Sequence, residues 1–246
     1  MDRQTRKDLK TDKFALEMSH GYDWVTEHKE KAMQYGGIAL AVLVIGFGTY
    51  FYRAHQATVR EAALVQALKI DDATIGSQAP NPEGLHFDTI DQKQAARTKA
   101  YTELAAKYHG TQEGAIAAIY LAADLADKGD LVPAQKAFQD IVDSAPKPYA
   151  ALARLSLAEV YSAEGNTDEA EKVLRTAVAN PTVTVSKDEA TIELAKVIAK
   201  KNPAEARTML DPLQTSQRGA VSRAAITAMS QLPPAPPGSA KPAVAK

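Results

Sequence analysis

LAADLADKGDLVPAQKAFQDIV (residues 121–142) and LAEVYSAEGNTDEAEKVLRTAV (residues 157–178) decide the fold, because they are one pattern written twice at a spacing of 36 residues. The overlay pairs Leu121 with Leu157, Ala122 with Ala158, Gly129 with Gly165, Ala134 with Ala170, Lys136 with Lys172 and Val142 with Val178. A further step brings the two alanines onto Ala206, and Phe138 and Leu174 onto Leu210. It also aligns Asp130, Asn166 and Asn202, residue types that accept a backbone N–H at a helix start. Glu169 and Glu205 stand three residues after two of these caps, and Pro203 falls in a first helical turn, where its missing N–H is harmless. Each unit therefore reads as helix, tight turn, capped helix. The recurring alanine lets two antiparallel helices cross closely, and the bulky residue one turn later fills the groove between them. The expected fold class is all-α, a helical-repeat solenoid.

Working outward, turn signals at Gly110, Gly129, Gly165 and Asn202–Pro203 separate repeat units near 115–148, 151–184 and 187–216. Residues 54–70 and 89–108 form an earlier helix pair around the loop DDATIGSQAPNPEGLHFD, and Thr89 with Gln92 gives its second helix a capping box. A last helix after Ser216, ending near Leu232, is placed to cap the stack. The order small, large, proline at Ala134, Phe138 and Pro146 resembles a tetratricopeptide repeat. The chain departs from that family in its longer repeat of 36 residues, in lacking the early tryptophan, and in carrying Leu194 where a small residue is usual. In the register that this resemblance implies, the first helices of the units line a concave groove with Ile116, Ile119, Ala123, Leu152, Leu155 and Glu159. Two readings stay open for them: a surface that receives an unfolded or amphipathic segment, or inter-repeat core for the isoleucines and leucines with a solvated Glu159.

Upstream, Ala32 to Tyr52 is a run of 21 residues without a charge. At ~1.5 Å per residue this reaches about 31 Å, the thickness of a bilayer's hydrocarbon core. Tyr35 stands at one end, and Tyr50, Phe51, Tyr52 and Arg53 at the other, as amphipathic rings and a cation do at headgroup level. The run is too far from the N-terminus, and lacks the small-residue cleavage site, for a signal peptide. Residues 35–52 are expected to form one transmembrane helix that continues unbroken into 54–70. The arm, residues 1–34, carries Arg3, Arg6, Lys7, Lys10, Lys13, Lys29 and Lys31, which favours a cytoplasmic N-terminus. Gly37, Ala41, Val44 and Gly48 fall on one stripe that another membrane helix could approach. Trp24 lies in the arm as a candidate contact to headgroups or a cytoplasmic partner. The segment 233–246, PPAPPGSAKPAVAK, is too rich in proline to pack a core and reads as a disordered tail.

Composition excludes several functions. Lys and Arg number 29 against 30 acids, without the basic excess that nucleic acid needs. Cysteine is absent, which removes disulfides, thiolate metal sites, a cysteine nucleophile and a lipidated N-terminal cysteine. His20, His28, His55, His86 and His109 are scattered, never at metal-ligand spacing, and no nucleophile elbow, phosphate loop or dinucleotide fingerprint occurs. Asp71 and Asp72 precede a loop and read as a helix end rather than an acid–base pair. No catalytic, metal or cofactor site is expected, and no small-molecule substrate.

The layout, with RAHQATVREAALVQAL following the span and then YTELAAKYHGTQEGAIAAIYLAADLADKGD, resembles the bacterial YfgM-like family over roughly residues 30–215. The resemblance implies a non-catalytic inner-membrane subunit beside the Sec translocon, with a periplasmic repeat domain that works with chaperones on emerging chains. The competing reading is an envelope scaffold for another assembly, such as cell division, secretion or pilus machinery.

Overall fold

The computed structural model describes residues 29–76 and 84–233. The expectations for residues 1–28, Trp24 included, and for the tail from residue 234 fall outside them. Among the described residues there are nine helices. They are α1 (Lys29–Asp71), α2 (Ile90–Lys107), α3 (Gln112–Asp127), α4 (Leu131–Ser144), α5 (Lys147–Ala163), α6 (Thr167–Ala179), α7 (Lys187–Ile198), α8 (Pro203–Gln214) and α9 (Gly219–Ser230). The chain divides into two units, Met1–Val59 and Arg60–Lys246.

In the first unit α1 is apolar and long enough to cross a membrane by length and composition. From Met33 to Tyr52 its large apolar side chains are 56–74% exposed, on all faces of the helix. A water-soluble helix buries one stripe and exposes the other, and this stretch shows no such division. No glycine or proline follows Gly48 before Asp71, and α1 runs through to Asp71 without interruption.

In the second unit the repeat is realised in the packing. Ala134, Ala170 and Ala206 are all 0% exposed, and the bulky partners one turn on, Phe138, Leu174 and Leu210, are exposed by no more than 1%. Successive helices pack in chain order, and α3, α5, α7 and α9 also touch one another in series. The first helices thus form an inner layer, against which α4, α6 and α8 lie as an outer one.

The turns explain the two repeated glycines. Gly129 and Gly165 have φ of 82° and 81°, a left-handed conformation that a side chain disfavours. Around Gly129, its own N–H donates to Ala126 O and the Asp130 N–H to Leu125 O; around Gly165 the corresponding bonds go to Ser162 O and Tyr161 O. This is the paired bonding of a Schellman helix end. One step further stands Lys201, and there the chain turns without a positive φ, closing instead on Ile198 O through the N–H groups of Lys201 and Asn202.

The same turns correct the capping expectation. Asn202 accepts the Glu205 N–H at 3.2 Å, but Asp130 and Asn166 make no side-chain cap bond. Each follows its glycine directly and combines φ near −80° with ψ near 60°, whereas the capping Asn202 is extended at φ −141°, a conformation from which its side chain caps. Asn166 turns its amide to Glu164 instead. At Thr89 half of the box forms as expected, since Thr89 accepts the Gln92 N–H, but Gln92 reaches the N–H of Asp88. The complete capping box belongs to Ser186 and Glu189 at the start of α7.

The described residues at the two ends of the segment 71–88 pair with each other. Two short parallel strands, β1 (Thr74–Ile75) and β2 (His86–Phe87), pair Thr74 with His86 and Ile75 with Phe87. Asp71 does more than end α1. It accepts the Tyr101 hydroxyl at 2.5 Å and lies 2.8 Å from Arg97 Nε, while Arg97 Nη1 donates to Asp124 at 2.7 Å. The Arg97 guanidinium sits over Tyr101, which stacks on Tyr120 with centroids 5.0 Å apart. Burial and the bond to Asp71 push the Tyr101 phenol well above its usual pKa. This network ties the end of α1 to α2 and α3.

Beneath it, the one buried charged residue among those described is Glu113, 2% exposed, which accepts from Arg60 Nε at 3.1 Å and from Gln112 Nε2 at 2.9 Å. Burial raises its pKa, but its own backbone N–H, Gln112, Arg60 and Thr111 together outweigh that, and the carboxyl is held below the ordinary glutamate range. A folded-state pKa below the unfolded one adds stability above the unfolded pKa, and that stability is lost as pH falls through the folded value. Urea unfolding between pH 7 and pH 3 is therefore expected to show a steeper acid loss for the native chain than for Glu113→Gln. Parallel curves would contradict this role of Glu113.

Candidate functional site

The interior face of α5 commits Ala150, Ala153, Leu157 and Val160 to the core, and that of α7 commits Ile192, Leu194, Ala195 and Ile198. At helical spacing, three to four residues apart, this leaves Leu155, Glu159 and Ser162 on the adjoining strip of α5, and Glu193, Lys196, Val197 and Lys200 on that of α7 and its continuation. The two strips border a cleft of about 330 Å³, lined also by buried Ala158 and Leu174 and by Thr167. Its lower walls are apolar and its rim is charged.

Lys196 Nζ donates to Glu193 Oε1 at 2.7 Å. Glu159 makes no hydrogen bond or ion pair among the described residues. Desolvation raises its pKa, the facing Glu193 carboxylate raises it further, and Lys196 offsets this only in part. Removing the facing charge with Glu193→Gln is expected to bring the Glu159 pKa down toward the ordinary carboxylate range, read by NMR titration of its carboxyl carbon. An unmoved value would mean that burial alone sets it.

Leu155 and Glu159 thus share one cleft. Leu155 also packs against two core clusters, and Leu152 joins the one formed by Ala151, Ala177, Val185 and Ala190. Ile119 and Ala123 pack against the cluster around Phe138, while Ile116 is half-buried outside the clusters. The structure places these three on α3, away from the lining of the α5–α7 cleft. Gly37, Ala41 and Gly48 lie on exposed α1, where a Cβ added at either glycine would meet nothing within 4 Å. Glu193, Lys196 and Lys200 escaped the sequence reading, although their spacing of three and four on one helix face was the signal available. A second cleft, about 270 Å³, runs between the α2–α3 corner and α4 past Ala105, Gly114, Ala118, Leu121, Ala137 and Ile141.

With this geometry in hand, comparison with protein families is decisive. The model of a tetratricopeptide repeat-like domain matches residues 24–189, well over half of the chain. The chain belongs to this family. Comparison with curated proteins returns no match. Tetratricopeptide repeat-like domains are typically non-catalytic protein-interaction modules, and the inner layer of α3, α5, α7 and α9 is the surface such a domain offers. The tetratricopeptide match takes in the apolar stretch of α1 as well as the first two full helix pairs, and it ends just inside α7. The cleft residues Glu193, Lys196, Val197 and Lys200 lie past its end.

Proposed function

We propose that this chain is a single-span, membrane-anchored interaction module of the bacterial envelope, with its N-terminal arm in the cytoplasm and its repeat domain in the periplasm. The observation that carries this reading is the extent of the family match: the exposed apolar helix and the first two repeat units fall within one domain match, which supports reading helix and repeats as a single functional unit. The basic arm before the helix favours cytoplasmic retention of that end. Tethering confines the module to the membrane surface, which raises its effective concentration for membrane-bound partners and for segments emerging there. Within the envelope, the layout shared with the YfgM-like family favours a place at the exit of the Sec translocon, beside periplasmic chaperones. The groove residues Ile116, Ile119, Ala123, Leu152, Leu155 and Glu159 are proposed as its contact surface, and Gly37, Ala41 and Gly48 as a contact with a neighbouring membrane helix.

Crosslinking in intact membranes, from photoreactive residues placed at Ile45 and at Glu159, tests the assignment. Translocon subunits are expected among the adducts at Ile45, and chaperones or nascent chains at Glu159. Adducts consisting instead of cell-division, secretion-machine or pilus components would replace the Sec assignment with a scaffold for that assembly.

A further inference from the structure

The chain leaves the last helix, α9, at the same edge of the domain as the α5–α7 cleft. Helices joined by short turns alternate in direction, so the inner helices α5, α7 and α9 run the same way and end on one edge. The cleft lies between the C-terminal halves of α5 and α7, and α9, the inner-layer neighbour of α7, ends beside it. Leu232, the last buried residue among those described, belongs to the same hydrophobic cluster as Ala158 and Leu174 of the cleft, and Leu155 and Val197 pack against that cluster. The next residue is turned towards the stack rather than past it. Arg207 of α8 donates from Nη2 to Pro233 O, and its Nη1 reaches Met229 Sδ. Thirteen further residues, PAPPGSAKPAVAK, follow Pro233.

We propose that the proline-rich segment after Pro233 folds back into the α5–α7 cleft as its resident occupant, which a partner must displace. The reach is sufficient. Neighbouring helix axes lie ~10 Å apart, so the cleft begins about one helix beyond the end of α9. Pro234–Ala240 alone spans about 22 Å at ~3.1 Å per residue in polyproline form. The chemistry matches as well. Glu159 and Glu193 on the rim are balanced by Lys196 and Lys200, so the cleft has no net charge with which to select a charged ligand. Its walls offer apolar surface at Leu155 and Val197, and the stretch from Pro233 to Ala240 is uncharged and mostly proline and alanine. Proline has no N–H, so seating this stretch leaves few backbone donors without a partner, while the rim ammonium groups can donate to its carbonyls. Its restricted backbone also loses little freedom on docking. The tether supplies an effective concentration on the order of millimolar, so even a weak intrinsic affinity fills the cleft. The regulatory meaning of this occupancy rests on the reading of Leu155 and Glu159 as contact residues; the docking itself does not.

The test is disulfide trapping in the full chain in lipid nanodiscs, where the absence of native cysteine makes each introduced pair unique. Ala240→Cys in the tail is paired either with Glu159→Cys on the far wall of the cleft or with Ala224→Cys. Ala224 is exposed on α9 itself, about 14 Å from Pro233 at ~1.5 Å per residue. Each trapping rate is divided by the rate at which the same wall cysteine reacts with a small soluble disulfide. A tail without a seat meets Ala224 at least as often as Glu159. A seated tail is expected to trap Glu159→Cys at least about tenfold faster than Ala224→Cys, since docking raises its local concentration at one wall only. Pro236→Gly with Pro237→Gly, which lie outside the helices, is expected to remove that preference. A rate at Ala224→Cys equal to or above that at Glu159→Cys, no trapping at either, or a preference that survives both glycines overturns the proposal and leaves the cleft to a separate partner. A covalent dimer in place of the internal bond also overturns it and gives the cleft to the tail of a second copy. None of these results bears on the adducts at Ile45, which decide the wider reading separately.

Discussion

Gly114→Ala is expected to destabilise the repeat domain by about 3 kcal/mol, the upper end for overpacking a close contact. A Cβ at this position would stand 2.1 Å from the Tyr108 carbonyl oxygen and 2.6 Å from its carbon. Both are backbone atoms, so no side chain can swing aside, and the end of α2 must move off the start of α3. The same movement strains the cap that Thr111 makes to the Gly114 N–H and disturbs the setting of buried Glu113 beside it. Gly129→Ala is the informative contrast. Nothing lies within 4 Å of its added Cβ, so it bears only the left-handed backbone penalty of about 1–2 kcal/mol. Equilibrium urea unfolding of the two variants should separate them in that order. A Gly114→Ala loss no greater than that of Gly129→Ala would contradict the close approach of α2 and α3.

Phe138→Ala is expected to cost about 4 kcal/mol, as truncation of a buried phenylalanine does. Phe138 is 1% exposed and fills the space that Ala134 opens between α4 and its neighbours, with Ala122, Ile141, Ala153, Leu157 and Val160 in the same cluster. Because those residues come from α3, α4 and α5, the cavity loosens two helix interfaces at once. Val132→Ala, on the same helix but 72% exposed, is expected to stay within about 0.5 kcal/mol of native. A small loss for Phe138→Ala would mean that the core collapses around the gap more freely than this packing allows.

The contrast between Phe138 and Asp130 shows what was legible in the sequence. Positions fixed by local periodicity were readable: the alanine and the bulky residue after it recur at both steps of 36 residues, and the glycine turn at the first, because each unit solves the same packing problem. The last helix, α9, was readable from its apolar pattern. Asp130 and Asn166 were misread as side-chain caps because the residue after a left-handed glycine turn takes φ near −80° with ψ near 60°, whereas Asn202, with no glycine before it, is extended at φ −141° and caps; the two motifs share one sequence signature. The Asp71–Arg97–Asp124 network and the β1–β2 pairing join residues far apart in the chain, and no spacing rule links them. The α5–α7 cleft was half legible. Leu155 and Glu159 sit on the first helix of a unit, but their counterparts on α7 become visible only when the two helices are laid side by side. Sequence pattern places a residue on a face; the partner across that face is a property of the stack.

The central claim is that α1 crosses a membrane and holds the repeat domain on the side opposite the arm. A reporter active only outside the cytoplasm, fused after Lys246 in living cells, tests it most directly. Activity in that fusion, together with none in a fusion made within the first 28 residues, is the expected result. An inactive Lys246 fusion that is nonetheless produced in full would place the repeat domain in the cytoplasm and contradict the account.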